Sequence, residues 1–229
     1  MTLGLMVQNG LKALLLTQTA MYNSENREKI LTCAENLFRK YGTRSISMDD
    51  IAHHLNMSKK TIYESFAHKN EIVYHIITVL RKRLEGLVAA TLDKPANPVE
   101  QLIKIFICIT SMMRETSPSL IYDLQKYHEN GWQILQEFRD DFLTSKIKDI
   151  VMAGIKKHYF NSTLDVNFYV VFFLEVVRLS NNEKLLPREK YSEQALTINL
   201  IDCLVSGVAT EKGRRVSKNL KLNNLQNLH

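Results

Sequence analysis

Apolar residues recur at intervals of three and four positions in one segment after another of this 229-residue sequence. In the segment 30–41 this spacing places four residues on one helical face: Ile30, Ala34, Leu37 and Tyr41. Glycine and proline number only eight and four, whereas a sandwich or barrel of short strands needs many turns. The pattern therefore predicts an all-α fold.

The composition excludes several other classes of protein. The three cysteines, Cys33, Cys108 and Cys203, lie far apart and form no CxxC pair, which excludes a disulfide framework and a zinc finger and favours a reducing compartment. No uninterrupted apolar run reaches the roughly 18 residues of a membrane span. We therefore expect a cytoplasmic protein without membrane contact, and the motifs in the sequence predict no metal site and no cofactor.

The net charge of +6 is unevenly distributed along the chain. Residues 24–92 carry a net charge of +3 and residues 211–229 carry +4, whereas the middle, 93–210, carries −2. A modest basic excess in a small segment is compatible with nucleic-acid binding. Charge alone nevertheless favours an ordinary solvated surface.

The segment 46–73 contains two short helical patterns joined by a tight turn. Ser47 opens the first helix as part of a capping box with Asp50, and Ser58 caps the second helix. Asn56, which lies between them, tolerates the left-handed conformation that such a turn requires. The separation of about three residues matches the helix-turn-helix motif.

The second helix of this motif has one apolar face and one basic face. Ile62 and Phe66 are expected to point inward. The residues left on the outer, N-terminal part are Lys59, Lys60, Thr61 and Tyr63. A helix of this kind fits the major groove of DNA, and its N-terminal amides, together with Ser58, face phosphate. Lys69, at the start of the next helix, occupies another position that favours anions. Spacing alone leaves DNA binding and a solvated helical hairpin about equally open.

These residues resemble the TetR family of bacterial transcriptional regulators. The resemblance rests on Ile30-Leu31, Ala34, Leu37-Phe38, Tyr41-Gly42, Ile51-Ala52, Met57-Ser58-Lys59-Lys60-Thr61-Ile62-Tyr63, Phe66 and Lys69. It implies a three-helix DNA-binding head, a helical ligand-binding body and a homodimer. It also implies that five residues match positions that touch operator DNA, mostly its phosphates: Ser47, Lys59, Thr61, Tyr63 and Lys69.

Some residues of the motif depart from the family pattern. Lys60 stands where the family often has Gly, Pro or Ala, and Glu64 is an acid on a basic helix. Ser65 stands where an aromatic residue is common, and His68 where Ser is common. These departures leave the base preference open.

Pro95 and Pro98 mark a break between helical segments after Leu92, and the resemblance implies the domain organisation. The expected segments are a flexible N-terminal arm, 1–23; a helix-turn-helix domain, 24–70; a helical ligand-binding and dimerisation domain, 71–210; and a basic C-terminal tail that frays, 211–229. Within the larger domain we expect one long helix over 131–159.

Two helices of the predicted body, 164–180 and 192–208, are apolar on every side. A helix of this kind does not leave one side in water, so pairing with symmetry mates would form a four-helix interface. The predicted interface residues are Phe168, Phe172, Val176, Leu196, Leu200 and Leu204. The alternative is that both helices lie in the interior of a monomer.

Aromatic and polar side chains in the middle of the chain are candidates for a ligand pocket. We expect Phe106, Met113, Tyr122, His128 and Trp132 to line a cavity between helices, with the last three as polar handles. A core role is equally compatible with each of them.

The sequence thus predicts a ligand-responsive transcriptional regulator, a repressor that binds a palindromic operator in double-stranded DNA as a homodimer and is released by a small-molecule effector. The alternatives are a helical protein–protein adaptor with a basic head and an all-α enzyme. No catalytic set supports an enzyme. The sequence does not identify the effector, the operator or the regulated genes.

Overall fold

The computed structural model describes residues 24–114 and 118–224, and the predicted arm, 1–23, lies outside them. The described chain is helical throughout its regular elements, which confirms the all-α prediction. Its helices are α1 (24–41), α2 (Met48–Leu55), α3 (Lys59–Ser65), α4 (Lys69–Asp93), α5 (Pro98–Arg114), α6 (Pro118–Tyr127), α7 (Glu129–Glu137), a π-helical segment (Phe138–Leu143), α8 (Thr144–Lys156), α9 (Val166–Ser180), α10 (Glu193–Ser206) and α11 (Glu211–Asn224). None of the helices in the described ranges is both long and apolar enough to cross a membrane.

The chain divides into two compact units. Among the described residues, the first unit combines 24–79 with 118–133, and the second combines 80–114 with 134–224. The predicted head therefore packs together with the start of α4, with α6 and with most of α7. The chain returns to the first unit after α5, which the order of motifs along the sequence did not indicate.

The core of the first unit joins α1 to the helix-turn-helix motif. Its most buried large side chains are Ile30, Phe38, Ile51, Ile62, Phe66, Ile72 and Ile77. Two turns connect the first three helices. Gly42 has φ +78° after α1, and a Cβ there would lie 2.8 Å from Asp123 Oδ2. Asn56 has φ 52° after α2, which confirms the left-handed turn predicted between the two helices.

The core of the second unit is built by α5, α8, α9, α10 and α11, and it centres on residues such as Phe106, Ile147 and Phe173. The expected single helix over 131–159 is wrong in detail, because the chain has a π-helical segment in its middle and α8 ends at Lys156. In that segment the amide of Thr144 donates to Arg139 O, five residues back. At the end of α8, a Cβ on Gly154 would lie 2.1 Å from the Phe160 ring, which folds back over it.

The prediction of a frayed tail after residue 210 is also wrong. Residues Glu211–Asn224 form α11, and Val216 and Leu220 pack against the core of the second unit. Gly213 permits this approach, because a Cβ there would lie 2.3 Å from the carbonyl oxygen of Tyr159. The basic composition of the segment concealed its apolar inner face, to which Val216 and Leu220 belong.

Candidate nucleic-acid interface

The two helices of the motif begin at serine caps. The Ser47 hydroxyl accepts the amide of Asp50 at 3.1 Å, and the Asp50 carboxylate accepts the amide of Ser47 at 2.7 Å. Hydrogen bonds from Ser47 lower the pKa of the Asp50 carboxyl. Ser58 Oγ accepts the amide of Thr61 at 3.1 Å. Both predicted caps are confirmed, and they satisfy amides at helix starts that otherwise lack partners.

The orientation of α3 follows from its two faces. Ile62 and Phe66 are almost completely buried, whereas the Tyr63 side chain is 52% exposed. Lys59 and Lys60 are exposed beside Tyr63 on the outer side. The inward and outward faces of α3 therefore agree with the sequence prediction.

The lysines on this outer face pair with exposed carboxylates. The Lys59 ammonium lies 2.5 Å from Asp49 Oδ2, which raises the pKa of Lys59. Lys60 lies 3.7 Å from Glu64 Oε1, one turn along α3. Exposed ion pairs of this type contribute little stability, so a phosphate can compete for either lysine.

Lys69 lies half-buried and contacts the loop between α1 and α2. Its ammonium donates to Thr43 O and to Ile46 O, both at 3.0 Å. These bonds position the loop that leads into Ser47. An ammonium has three donors, so the predicted phosphate contact of Lys69 remains a prediction beside this positioning role.

Arg27 of α1 contacts and stabilises the C-terminal end of α3, a role that the sequence analysis did not predict. Its guanidinium lies 4.0 Å from the centre of the Phe66 ring and donates to Ser65 O. It also lies 3.4 Å from Glu71 Oε1, and the second carboxylate oxygen of Glu71 accepts the amide of Ala67. No local signal in the sequence pairs an arginine in α1 with a ring 39 positions later, because the pairing depends on tertiary packing.

A buried polar cluster joins the loop after α1 to α6 and to the residue before α7. Thr43 Oγ1 donates to Asp123 Oδ2 at 3.3 Å, and the amide of Arg44 donates to the same oxygen at 2.9 Å. His128 Nε2 lies 2.9 Å from Thr43 Oγ1. Since the hydroxyl proton serves Asp123, we assign the Nε2–H tautomer to His128.

The cluster gives His128 the core role that the sequence left open beside the predicted pocket role. Its side chain is buried and bonded to Thr43, and its Nδ1 is buried without a hydrogen-bond partner. Burial lowers the pKa of His128; the Lys69 charge adds to this lowering, and Asp123 opposes it. His128 is therefore a core histidine of the first unit. The sequence around His128 did not indicate its partner, because Thr43 lies 85 positions away.

The other predicted pocket residues have different surroundings. Phe106 lies in the core of the second unit, edge-on to Phe173. It borders a void with no room for a water molecule, and this void is lined only by apolar side chains: Leu102, Ile103, Phe106, Phe173, Ile201, Leu204 and Val205. Met113 and Tyr122 are exposed, and Trp132 is half-buried. The void is smaller than a usual ligand pocket, and the effector site remains a prediction.

The two apolar helices of the body divide their residues between core and surface. Phe168 and Phe172 are 69% and 40% exposed, and Val171 beside them is 63% exposed. Leu200 is half-buried. Val176, Leu196 and Leu204 are buried within the chain itself, and their place in an interface stays a prediction. Val171, which the sequence prediction omitted, belongs to the exposed face.

The geometry of the first unit defines the class of this protein. A capped helix with a buried apolar face, a basic outer face and a preceding short helix across a left-handed turn is a helix-turn-helix DNA-binding motif. Residues 30–76 match the model of the bacterial regulatory proteins of the tetR family. This segment is similar to the DNA-binding part of transcriptional regulators of that family, and the curated relatives of the chain are named transcriptional regulators.

Known relatives agree with this assignment. The repressor KstR2 of Mycobacterium tuberculosis is 22% identical over 164 residues, which cover 69% of this chain and 80% of the relative. The regulator FadR of Bacillus subtilis, solved with stearoyl-CoA, has a TM-score of 0.61 at 17% identity and covers 79% of this chain and 98% of its own. AibR, solved with isovaleryl coenzyme A and operator DNA, has a TM-score of 0.60 at 16% identity, with coverages of 79% and 98%. At these identities the solved structures show the shared fold.

Proposed function

We propose that this protein is a ligand-responsive repressor that acts in the cytoplasm and binds a palindromic operator as a homodimer. The observation that carries the proposal is the outer face of α3, where Lys59, Lys60 and Tyr63 are exposed while Ile62 and Phe66 fix the helix from within. Such a helix matches the width of the major groove, about 12 Å. Two heads would read successive grooves about 34–36 Å apart.

The proposed contacts separate into positioning and reading groups. Ser47 and Ser58, together with the amides at the starts of α2 and α3, face phosphate, as does Lys69. Lys59, Lys60, Thr61 and Tyr63 lie on the part of α3 that enters the groove. Glu64, an acceptor one turn after Lys60, is suited to the N4 amino group of cytosine.

The homodimer rests on the exposed apolar face of α9. Phe168, Val171 and Phe172 share one side of the helix, and the rings of Phe168 and Phe172 stack with their centres 6.5 Å apart. The exposed positions of α10 include the small side chains of Ala195 and Cys203. Large aromatic side chains on one helix and small ones on another suit an isologous four-helix contact with a second copy.

The effector is a small molecule that binds better to the state with low DNA affinity. Related proteins indicate its class: KstR2 is named a ketosteroid regulator, and FadR and AibR were solved with acyl thioesters of coenzyme A. We therefore expect a ligand with a substantial apolar group. Melting of the protein with a panel of steroids and acyl thioesters tests this class, and a bound ligand raises the melting temperature by mass action.

The DNA-binding proposal is tested by selection of bound duplexes from a random pool, followed by affinity measurements on the selected sequence. Lys59→Ala and Tyr63→Phe are expected to weaken binding, by about tenfold if each removes a contact worth about 1.4 kcal/mol. Lys184→Ala, at an exposed position of the second unit, is the matched control. Failure to enrich any sequence, or a Lys59 variant that binds as tightly as the control, contradicts the proposal.

A further inference from the structure

The second unit presents a basic surface that the proposed operator contact does not use. It consists of exposed residues at the end of α8 and on α11, and we refer to it as the α8–α11 basic surface: Lys156, Lys157, Lys212, Arg214, Arg215 and Lys218. Within 154–160 and 211–220 the only acidic residue is Glu211. His158, within the first of these segments, is also exposed.

Specific contacts join the two halves of this surface. The Lys212 ammonium donates to Lys157 O at 2.9 Å and lies 4.2 Å from the centre of the Tyr159 ring. Thr210 Oγ1 donates to His158 O at 2.8 Å and accepts the amide of Gly213, which caps the start of α11. The surface is therefore a fixed feature of the folded unit, and its charges need little ordering before they meet a partner.

The charges of α11 remain available to a partner. Glu211 lies 3.9 Å from the Nε atom of Arg214 and 3.2 Å from that of Arg215, but exposed pairs of this kind contribute at most about 1 kcal/mol. Arg215 and Lys218 are three residues apart, a rise of about 4.5 Å along the helix. One carboxylate does not neutralise the surface.

The absence of exposed large apolar side chains in 154–160 and 211–220 distinguishes the classes of partner that the surface can bind. Protein interfaces concentrate their binding energy in buried aromatic and apolar anchors, and membrane-surface helices bury an apolar face in the lipid. In 154–160 and 211–220 no large apolar side chain is exposed, and the apolar residues Val216 and Leu220 pack on the unit's own core. What remains is dense positive charge, which suits a polyanion with regularly repeated charges.

We propose that the α8–α11 basic surface is a second, sequence-independent contact surface for the phosphate backbone of duplex DNA. This contact does not depend on recognition of an operator by α3. Each phosphate neutralised by a lysine or arginine adds about 0.9 to the slope of log affinity against log salt. Each contact therefore accounts for about a 3.5-fold loss of affinity between 50 and 200 mM salt.

The test uses the full-length protein and a random-sequence duplex, with binding followed by fluorescence anisotropy from 50 to 200 mM salt. The triple variant Arg214→Gln/Arg215→Gln/Lys218→Gln removes three charges from the surface. The control Lys94→Gln/Lys184→Gln/Lys190→Gln removes three charges from exposed positions elsewhere in the second unit. A third variant, Arg214→Lys/Arg215→Lys, alters the side chains but keeps the charges.

The proposal requires the triple variant to lower the salt slope by at least one relative to the control, with a loss of affinity of at least threefold at 50 mM salt. The lysine variant must retain the slope of the wild type, which separates charge from folding. A triple variant with the same salt slope as the control overturns the proposal. So does a triple variant that binds the duplex like the wild type and loses binding only to phosphatidylserine vesicles, measured in parallel. Loss of operator binding in the Lys59 and Tyr63 variants is a separate result, because those variants change α3, whereas the triple variant and its control differ only in the second unit.

Discussion

The substitution Thr43→Val tests whether the buried cluster holds the first unit together. Thr43 is fully buried, and valine replaces it with nearly the same shape, so the change removes a hydroxyl without opening a cavity. The hydroxyl bonds both Asp123 and His128. Without it, the carboxylate keeps the amide of Arg44, whereas the two ring nitrogens of His128 have no other bond in the described structure.

Two effects contribute to the expected loss of stability. A hydrogen bond to a charged acceptor contributes about 1.5–3 kcal/mol, and the bond to Asp123 is long, so the lower figure applies. A buried donor left without a partner costs about 1–3 kcal/mol. Together they predict that Thr43→Val lowers the free energy of unfolding by about 2.5–4.5 kcal/mol.

Urea denaturation followed by the fluorescence of Trp132 measures this change. The chain has one tryptophan, and it lies in the first unit. Thr43→Ser, which keeps the hydroxyl, is expected to lose only about 1 kcal/mol. Thr78→Val, which removes a hydroxyl bonded within the exposed part of α4, is expected to change stability by less than about 0.5 kcal/mol. A loss below 1 kcal/mol for Thr43→Val would refute the role of the cluster.

Three further predictions concern other named residues. Burial lowers the pKa of His128 below its ordinary 6.5, so the unfolded chain takes up a proton at low pH more readily than the folded chain. The contribution of neutral His128 to the free energy of unfolding is therefore complete above pH 6.5. It is lost as the pH falls below that value, by at most about 1.4 kcal/mol per pH unit. Urea titrations between pH 5 and 8 should show this dependence in the wild type but not in His128→Gln, and identical profiles would contradict it. Phe168→Asp should convert the proposed dimer to a monomer in sedimentation velocity, whereas Leu185→Asp, at another exposed apolar position, should not. A wild-type protein that sediments as a monomer at about tens of micromolar would contradict the dimer, because a stable interface persists at that order of concentration. Lys69→Met should lower the free energy of unfolding by about 1–2 kcal/mol, because its ammonium bonds two loop carbonyls; unchanged stability with a salt slope lower by about one would instead indicate a phosphate contact alone.

The sequence by itself determined features whose causes lie within a few residues. The caps at Ser47 and Ser58 depend on hydrogen bonds that span three positions, and the turn at Asn56 depends on the tolerance of that residue for positive φ. The inward face of α3 follows from helical periodicity, which places Ile62 and Phe66 on one side. Local spacing therefore sufficed to predict the helix-turn-helix motif and the outward direction of its basic residues.

Only the tertiary structure decided features in which distant residues meet. Thr43 and Asp123 are 80 positions apart, and nothing near either one signals the bond between them. A helix that is apolar all round does not reveal which side meets its own core, so Val176 could not be separated from Phe172 by pattern alone. The same reasoning applies to α11, where Gly213 matters because the backbone at Tyr159 approaches it. Periodicity reports the faces of a helix, whereas the choice of partner for each face belongs to the packing of the whole chain.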